Sequence, residues 1–466
     1  MMLQVAKKEI KEMTRSGQFK WMLGTVLVLS LIAVFISYNQ WQEKNLQREQ
    51  AQESARALWL AQGSVNPHNA AHYGTYAFKP QFPLSLIDPG VEKFTGVSIF
   101  LEAHSRNEAD MVAAADQTGL SRFGDLTPDF ILLYLIPLLI IALGFQSVTK
   151  EKVNGTIQII KTQGISNTQL LMGKWLGNYL PIAIISTLLF VLAALLIAAT
   201  GNAFDWRLLV TMWVIYMVYF GIINTITMVV SSLASKPGVS LVLLLATWIV
   251  SCLAVPKIAS SYTNEKYPYP TRQVFEAAVA FDKKQGIDGH DPWSEASKKL
   301  EQETLKAYNV SKLEELPFNF DAMRMQKGEE HEAAVYFKHN ERLKQINQEQ
   351  AAVYRKLAVL SPFLPTRFMS MALASTDYAT HWTFSDMAEK HRVAMQKTLN
   401  DNFAENSKLG EWGYKADASL LQEVPEFEFE AANYNEVMAS NKSNLFILTA
   451  WLLLSFGLMF FASTRI

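Results

Sequence analysis

Apolar residues are concentrated in six stretches of the chain, and polar residues fill the segments between them. Each stretch is nearly uncharged and close to the ~20 residues with which a helix crosses a hydrocarbon core about 30 Å thick. The pattern predicts an all-α polytopic membrane protein with six transmembrane helices. The predicted spans are residues 19–38, 130–148, 177–199, 208–233, 239–255 and 445–461.

Residues 1–18 are amphipathic, because apolar positions recur at helical spacing while lysines and arginine occupy the other faces. This pattern favours a cytoplasmic interfacial helix, and an irregular basic tail is the alternative. The first span is longer than the core of a signal peptide, and no small-residue cleavage site follows it. We therefore expect an uncleaved anchor.

Basic residues near the span ends predict the orientation, because lysine and arginine resist translocation. All of them fall on one side if both termini are cytoplasmic. Residues 39–129 and 256–444 then form two extracytoplasmic inserts, whose charged helical stretches predict a mainly helical outer domain. Residues 149–176 become a cytoplasmic loop. The basic residues are Lys7, Lys8, Lys11, Arg15, Lys20, Lys150, Lys152, Lys161, Lys174, Lys236 and Arg465.

Composition excludes several classes of function. The chain has 42 basic and 43 acidic residues, a balance that argues against a nucleic-acid partner. Its single cysteine, Cys252, rules out an intrachain disulfide. The spans carry no central ionisable group, which disfavours ion-coupled transport. No phosphate-binding G-x-x-x-x-G-K-[ST] loop is present, so ATP hydrolysis would have to occur in another chain.

Catalytic and metal-binding patterns are weak, and no catalytic residue is predicted. His331 and Glu332 begin an H-E pair without the second histidine of a zinc protease. His68 and His72 have the i, i+4 spacing of two ligands, but the local conformation is uncertain and a third ligand is not apparent. Hydrogen-bonded structural histidines are favoured there, and the remaining outer histidines, among them His104 and His290, are expected to be surface or capping residues.

Two positions within the spans are candidates for a gate or a transport pathway. Pro137 removes a helical hydrogen bond in the second span and can kink it, either for gating or to fit the packing. Asn224, in the fourth span, either contacts substrate or forms a hydrogen bond between helices. Thr127 and Pro128 are expected to be the N-cap and the first helical residue of the second span.

The loop at 149–176 is the most informative segment. Gly164 can end a short helix in the left-handed conformation, and Ser166 with Gln169 forms a capping box that begins the next helix. We expect a helix-turn-helix with a firm corner that docks by its apolar side chains and transmits force from a partner into the neighbouring spans. An ordinary interfacial loop is the alternative.

In this loop the sequence resembles the ABC-2 type permeases. It contains the Glu-x-x-x-Gly-Thr and x-Ile-Ser-x-x-Gln-x-x-x-x-Lys patterns, as Glu151, Gly155, Thr156, Ile165, Ser166, Gln169 and Lys174. The inserts resemble a bacterial branch of these permeases catalogued as a domain of unknown function, at residues 66–74, 76–80, 102–104, 122–124, 360–363 and 372–377. Ser375 stands where that branch has glycine, which weakens any expectation of special backbone geometry there.

The resemblance implies a permease subunit in a bacterial cytoplasmic (inner) membrane, with an N-terminal elbow helix. It implies two ABC ATPase subunits that bind MgATP and dock beneath the 149–176 loop, so that the chain holds no cofactor of its own. It further implies a second permease copy or a paralogue, and export or extraction is favoured over import. A periplasmic partner could contact the inserts.

Two other classes of function remain as alternatives. A membrane-anchored sensor or scaffold would suit the large outer inserts but would not need a structured cytoplasmic loop. An intramembrane or periplasmic hydrolase would need a catalytic set that the sequence does not display.

Overall fold

The computed structural model describes residues 1–109 and 126–466, and most of these residues are helical. Six helical segments are long and apolar enough to cross a membrane: Gly17–Leu60, Pro128–Val153, Asn167–Ala199, Trp206–Leu233, Pro237–Lys266 and Lys442–Ser463. Each of them contains one of the six apolar stretches. The protein is an all-α polytopic membrane protein, as the hydropathy pattern predicts.

The helices are numbered in chain order. They are α1 (Met2–Arg15), α2 (Gly17–Leu60), α3 (Pro67–Tyr73), α4 (Glu92–Thr95), α5 (Pro128–Phe130), α6 (Ile136–Gly144), α7 (Thr149–Val153), α8 (Thr156–Thr162), α9 (Asn167–Ala199), α10 (Trp206–Leu233), α11 (Pro237–Ile249), α12 (Val255–Lys266), α13 (Arg272–Lys283), α14 (Glu295–Tyr308), α15 (Phe320–Leu357), α16 (Phe363–Leu373), α17 (Tyr378–Asn406), α18 (Ser419–Glu423), α19 (Tyr434–Ser440) and α20 (Lys442–Ser463). Short 3₁₀ turns cover Pro83–Leu86, Leu313–Glu315 and Ala358–Leu360.

Helix α10 is the centre of the membrane-spanning bundle. Of its most apolar part, 72% is buried, against 22% for α2 and for α20. It packs against α6, α9, α16 and α20. At the periphery, α2 is 44 residues long, about 66 Å at 1.5 Å per residue, so it continues well beyond a bilayer.

The second span contains a π-turn at Ile131–Leu135, two residues before Pro137. Proline has no N–H, so the carbonyl of Leu133 lacks its usual helical donor. The Tyr219 hydroxyl of α10 donates to that carbonyl over 3.2 Å. Thr127 precedes Pro128 at the start of the helix as expected, but its side chain makes no capping hydrogen bond.

The two inserts form one domain around a shared core, and we call it the outer domain after the side of the membrane that the sequence predicts for it. Trp59 and Leu101 from the first insert pack with Phe384 and Leu399 from the second. Besides helices, this domain contains a three-stranded antiparallel sheet that the sequence pattern does not predict. Its strands are β1 (Thr75–Phe78), β2 (Ser98–Glu102) and β3 (Ser105–Arg106), with Thr75 opposite Leu101.

Helix α16 belongs to the second insert but packs on α10 and α20, where Tyr216 and Ser370 share a hydrogen bond of 2.9 Å between their hydroxyls. Just after α16, Ser375 has φ 57°, and the next N–H, of Thr376, donates to Met371 over 3.0 Å. The serine keeps the left-handed geometry of a glycine cap, so the expectation that its presence argues against such geometry is wrong.

Candidate functional site

The loop at residues 149–176, which the distribution of lysine and arginine predicts to be cytoplasmic, has the predicted helix-turn-helix form, built from α7, α8 and the start of α9. Gly155 and Gly164 flank α8 with φ of 70° and 75°, in the left-handed region that favours glycine. The predicted capping box is present: Gln169 N–H donates to Ser166 Oγ over 3.2 Å, and Ser166 N–H donates to Gln169 Oε1 over 3.3 Å. Thr156 begins α8, and its hydroxyl donates to the Glu151 carbonyl over 3.3 Å.

Buried charges join this loop to the N-terminal helix. The Lys174 ammonium on α9 is almost fully buried and donates both to Glu151 Oε1, over 2.8 Å, and to Glu9 Oε1 on α1. From the solvent side, Lys8 donates to the same Glu151 oxygen over 3.4 Å. We call Glu9, Glu151 and Lys174 the cytoplasmic charge cluster, after the side of the membrane that the sequence predicts for it; it links α1, α7 and α9.

Two glycines on α9 allow α1 to approach this closely. A Cβ at Gly173 would lie 2.5 Å from Val5 Cβ and 2.8 Å from the Met2 carbonyl oxygen. A Cβ at Gly177 would lie 2.7 Å from Glu9 Cβ. Residues 1–18 thus contain the expected helix, and α1 packs along α9. Sequence reasoning missed Glu9 and this packing, although the Gly-x-x-x-Gly spacing signals close helix contact.

The same loop touches the ends of two other spans. Ser231 Oγ on α10 accepts the Val148 N–H over 3.1 Å, and Lys152 donates to the Ser232 carbonyl. Near the C-terminus, Lys161 donates to the Ile466 carbonyl over 2.8 Å. A displacement of the loop would therefore reach α1, α9, α10 and the end of α20.

The two gate or pathway candidates lie in packed interfaces. Asn224 is fully buried on α10, where its oxygen accepts from Asn178 over 2.6 Å and its amide donates to the Trp175 carbonyl over 2.9 Å. These are the contacts of helix packing. Pro137 is also buried. Neither residue lines the apolar cavity of about 320 Å³ between α6, α10 and α11, which Ile141, Ile223, Leu244 and Cys252 border.

The outer domain brings four histidines together. His68 and His72 lie one turn apart on α3, so this stretch is helical, and their Nε2 atoms are 3.2 Å apart. His104 in the β2–β3 turn and His290 in the α13–α14 loop have their Nε2 atoms 2.9 Å apart. All four ring centroids lie 4.6–6.5 Å from one another. We call these residues the histidine cluster.

This arrangement corrects two expectations from the sequence. His104 and His290 are not isolated surface or capping residues, and His290 supplies the third potential ligand that the His68–His72 pair lacks in sequence: one ring nitrogen from each of the three lies within 4.8 Å of the other two. The i, i+4 spacing was the only local signal, because the other two histidines are distant in the chain.

Acidic residues contact the histidine cluster at His104. His104 Nδ1 lies 2.6 Å from Glu329 Oε1, which also accepts the His104 backbone N–H over 3.0 Å. Buried Arg392 donates to the other Glu329 oxygen over 3.0 Å and grips Glu389 with two nitrogens. His104 itself has φ 65°, an uncommon conformation for a residue other than glycine.

The pKa of His104 is shifted in the opposite direction from the pKa values of the other three histidines. Burial and the nearby histidines lower the pKa of His68 to about 4, and burial also lowers the pKa of His72 and of His290. Burial opposes the charge on His104, but the hydrogen bond to Glu329 and the nearby carboxylate of Glu332 outweigh it and raise the His104 pKa to about 9. At neutral pH His68, His72 and His290 are therefore uncharged, and one ring nitrogen of each carries a lone pair.

Comparison with known families agrees with this architecture. Residues 105–269 match the ABC-2 family transporter proteins, and residues 272–430 match a domain of unknown function, DUF3526. A search of curated protein sequences found no match. The motif at 122–124 lies outside the described residues. The chain is thus similar to the ABC-2 family of transporter proteins over residues 105–269, and it is a multi-pass membrane protein that carries a domain of unknown function between its fifth and sixth membrane-spanning helices.

Proposed function

We propose that this permease is driven by separate ABC ATPase subunits that dock on residues 149–176, and that the cytoplasmic charge cluster carries their movement into the spans. The observation that carries the proposal is the buried ammonium of Lys174, which binds Glu151 of the loop and Glu9 of α1 at once. A loop without a mechanical role has no need of such a connection to α1 and α9.

The chemistry of the cluster supports transmission of force. A lysine ammonium between two carboxylates holds them together only while all three groups stay within hydrogen-bond distance, because removing one partner leaves an uncompensated buried charge. If a docked subunit tilts α7 and α8, Glu151 moves, and Lys174 and Glu9 must follow or the contacts break. Helix α1 would then act as a lever along α9, held by close contact at Gly173 and Gly177.

The match to the ABC-2 family supports the rest of the proposal. ATPase subunits would bind and hydrolyse MgATP, since the chain itself has no phosphate-binding loop sequence. We place both termini and the 149–176 loop in the cytoplasm of a bacterial inner membrane, with the outer domain on the opposite face, from the distribution of lysine and arginine. We further propose export or extraction toward that face. We also propose that the chain pairs with a second permease copy or a paralogue.

The test is purification of the full chain in mild detergent from its native membrane, with identification of co-purifying chains and assay of MgATP hydrolysis. We expect an ATPase subunit to co-purify and to turn over. Glu151→Gln should uncouple or abolish this activity, whereas Lys20→Met, which changes an exposed lysine near the start of α2 and outside the docking segment, should leave it unchanged. A chain that purifies without any ATPase in repeated preparations would overturn the proposal and favour the sensor or scaffold.

A further inference from the structure

We propose that the outer domain binds a divalent transition-metal ion at the histidine cluster, with His68, His72, His104 and His290 as ligands through their Nε2 atoms. The site joins three histidines of the first insert to one of the second. It is independent of the proposed coupling mechanism, because it lies at the opposite end of the molecule from residues 149–176.

Two of the nitrogen separations are close to those around a tetrahedral ion. A Zn–N bond of about 2.0–2.1 Å places adjacent ligand nitrogens about 3.3–3.4 Å apart. The observed Nε2 separations are 3.2 Å for His68 and His72 and 2.9 Å for His104 and His290. His68, His72 and His290 offer nitrogens within 4.8 Å of one another. These three histidines can therefore share one ion, and a rotation of the His104 side chain, whose Nε2 already contacts His290, would bring in the fourth nitrogen.

The surroundings of His104 have the form that metal-binding histidines need. Its Nδ1 faces Glu329 at 2.6 Å, and a carboxylate at this second ring nitrogen orients the imidazole and makes Nε2 a better donor. Arg392 holds Glu329 in turn, over 3.0 Å. The left-handed backbone of His104 is a strained conformation of the kind that clusters at ligand sites.

The local charge balance also favours a cation. Arg392 and Lys283 face three carboxylates, those of Glu329, Glu332 and Glu389, so a further cation at His104 completes the charge balance. Among the described residues, Glu332 Oε2 is buried without a hydrogen-bond partner, 3.7 Å from His104 Nδ1.

Imidazole donors select the class of metal. They suit zinc, copper, nickel and iron, whereas calcium and magnesium require oxygen ligands. His72 and His290 are exposed at the mouth of the cluster, so an ion can enter and leave from solvent. We therefore expect exchangeable binding of Zn²⁺ and its analogues, and no competition from Ca²⁺ or Mg²⁺.

The experiment uses the full chain in detergent, stripped with a chelator and dialysed against Zn²⁺. We expect one Zn²⁺ per chain by elemental analysis and a rise in Tm that the chelator reverses. Co²⁺ in place of Zn²⁺ should give the visible absorption of a tetrahedral nitrogen site. The double variant His72→Ala/His290→Ala should lose both signals, and because both side chains are exposed, its Tm without metal should match the wild type.

His339→Gln is the matched control, since His339 lies in the same domain and contacts Asp282 rather than the cluster. It should bind Zn²⁺ as the wild type does. Glu329→Gln should weaken binding about 10–100-fold, as expected for loss of a supporting carboxylate. Absence of stoichiometric Zn²⁺ in the wild type, or equal binding by the double variant, would mean that the four histidines are only hydrogen-bonded to one another and would overturn the proposal.

Discussion

The cytoplasmic charge cluster resembles the group of charged residues that contacts the histidine cluster, and the two differ in the type of the basic residue. Each places a single buried cation between two glutamates: Lys174 between Glu9 and Glu151, and Arg392 between Glu329 and Glu389. Lysine is a compact point charge on a flexible stem. Arginine is a planar fork that fixes the orientation of a carboxylate.

This difference matches the two proposed roles. The ammonium of Lys174 can keep contact with two carboxylates while they shift, which suits a junction that moves. Arg392 grips Glu389 with two nitrogens, at 2.9 Å and 3.0 Å, and so holds Glu329 and His104 in place. A fixed support suits a site that must keep ligand atoms within tenths of an ångström.

The largest expected effect comes from removing the cation of the cytoplasmic charge cluster. Lys174→Met should destabilise the protein by about 3–5 kcal/mol, because it leaves two carboxylates facing each other in a mostly buried site. Thermal unfolding in detergent measures this loss. Lys150→Met, on the exposed face of α7, should change stability by less than about 0.5 kcal/mol. Equal effects of the two substitutions would show that the cluster is solvated and does not stabilise the protein.

A conservative substitution of Arg392 tests whether the planar fork of arginine is needed. Arg392→Lys should cost about 2–3 kcal/mol, since a lysine cannot replace the two-nitrogen grip on Glu389 and the bond to Glu329 together. It should also weaken Zn²⁺ binding at the histidine cluster. If the variant has the stability and the Zn²⁺ affinity of the wild type, the distinction between a fixed and a movable support is wrong.

The packing of α1 on α9 provides a further test. Gly173→Ala would place a Cβ 2.5 Å from Val5 Cβ and should cost about 1–3 kcal/mol through overpacking, with loss of coupled ATPase activity. Gly24→Ala in α2 is the matched control, because a Cβ there meets nothing within 4 Å and alanine is the better helix former. Equal stability and equal activity of both variants would argue against α1 as a lever.

The smallest effect is expected in the outer region, at the end of α16. Ser375→Gly should raise stability by about 0.5–1 kcal/mol, because serine is held at φ 57° and glycine adopts this conformation without a steric penalty. Chemical denaturation of the purified protein measures the gain. Ser375→Ala keeps the penalty and should show no gain; a gain of the same size in both variants would point to the hydroxyl instead of the backbone.

The parts of the structure that follow local rules were predictable. The six membrane-spanning segments follow from hydropathy, and the corner of the cytoplasmic loop follows from Gly164 and the Ser166–Gln169 capping box. Each depends on residues only a few positions apart. The three-stranded sheet was missed because its strands are short and lie within a mainly helical domain.

The candidate sites were predictable only in part. Glu151 and Lys174 could be placed in the loop from their pattern, but nothing in the sequence selects Glu9 as their partner. His68 and His72 share one helical turn, whereas His104 and His290 join them only after a strand pairing and a loop docking against α15.

By itself, then, the sequence determined the membrane-spanning helices, their caps and the form of the cytoplasmic loop, because hydrophobic length and capping act over a few residues. Only the tertiary structure decided which buried charges meet and that four histidines face one another. Those contacts join positions far apart in the chain, and their geometry is set by how α1 lies on α9 and how the two inserts share one core.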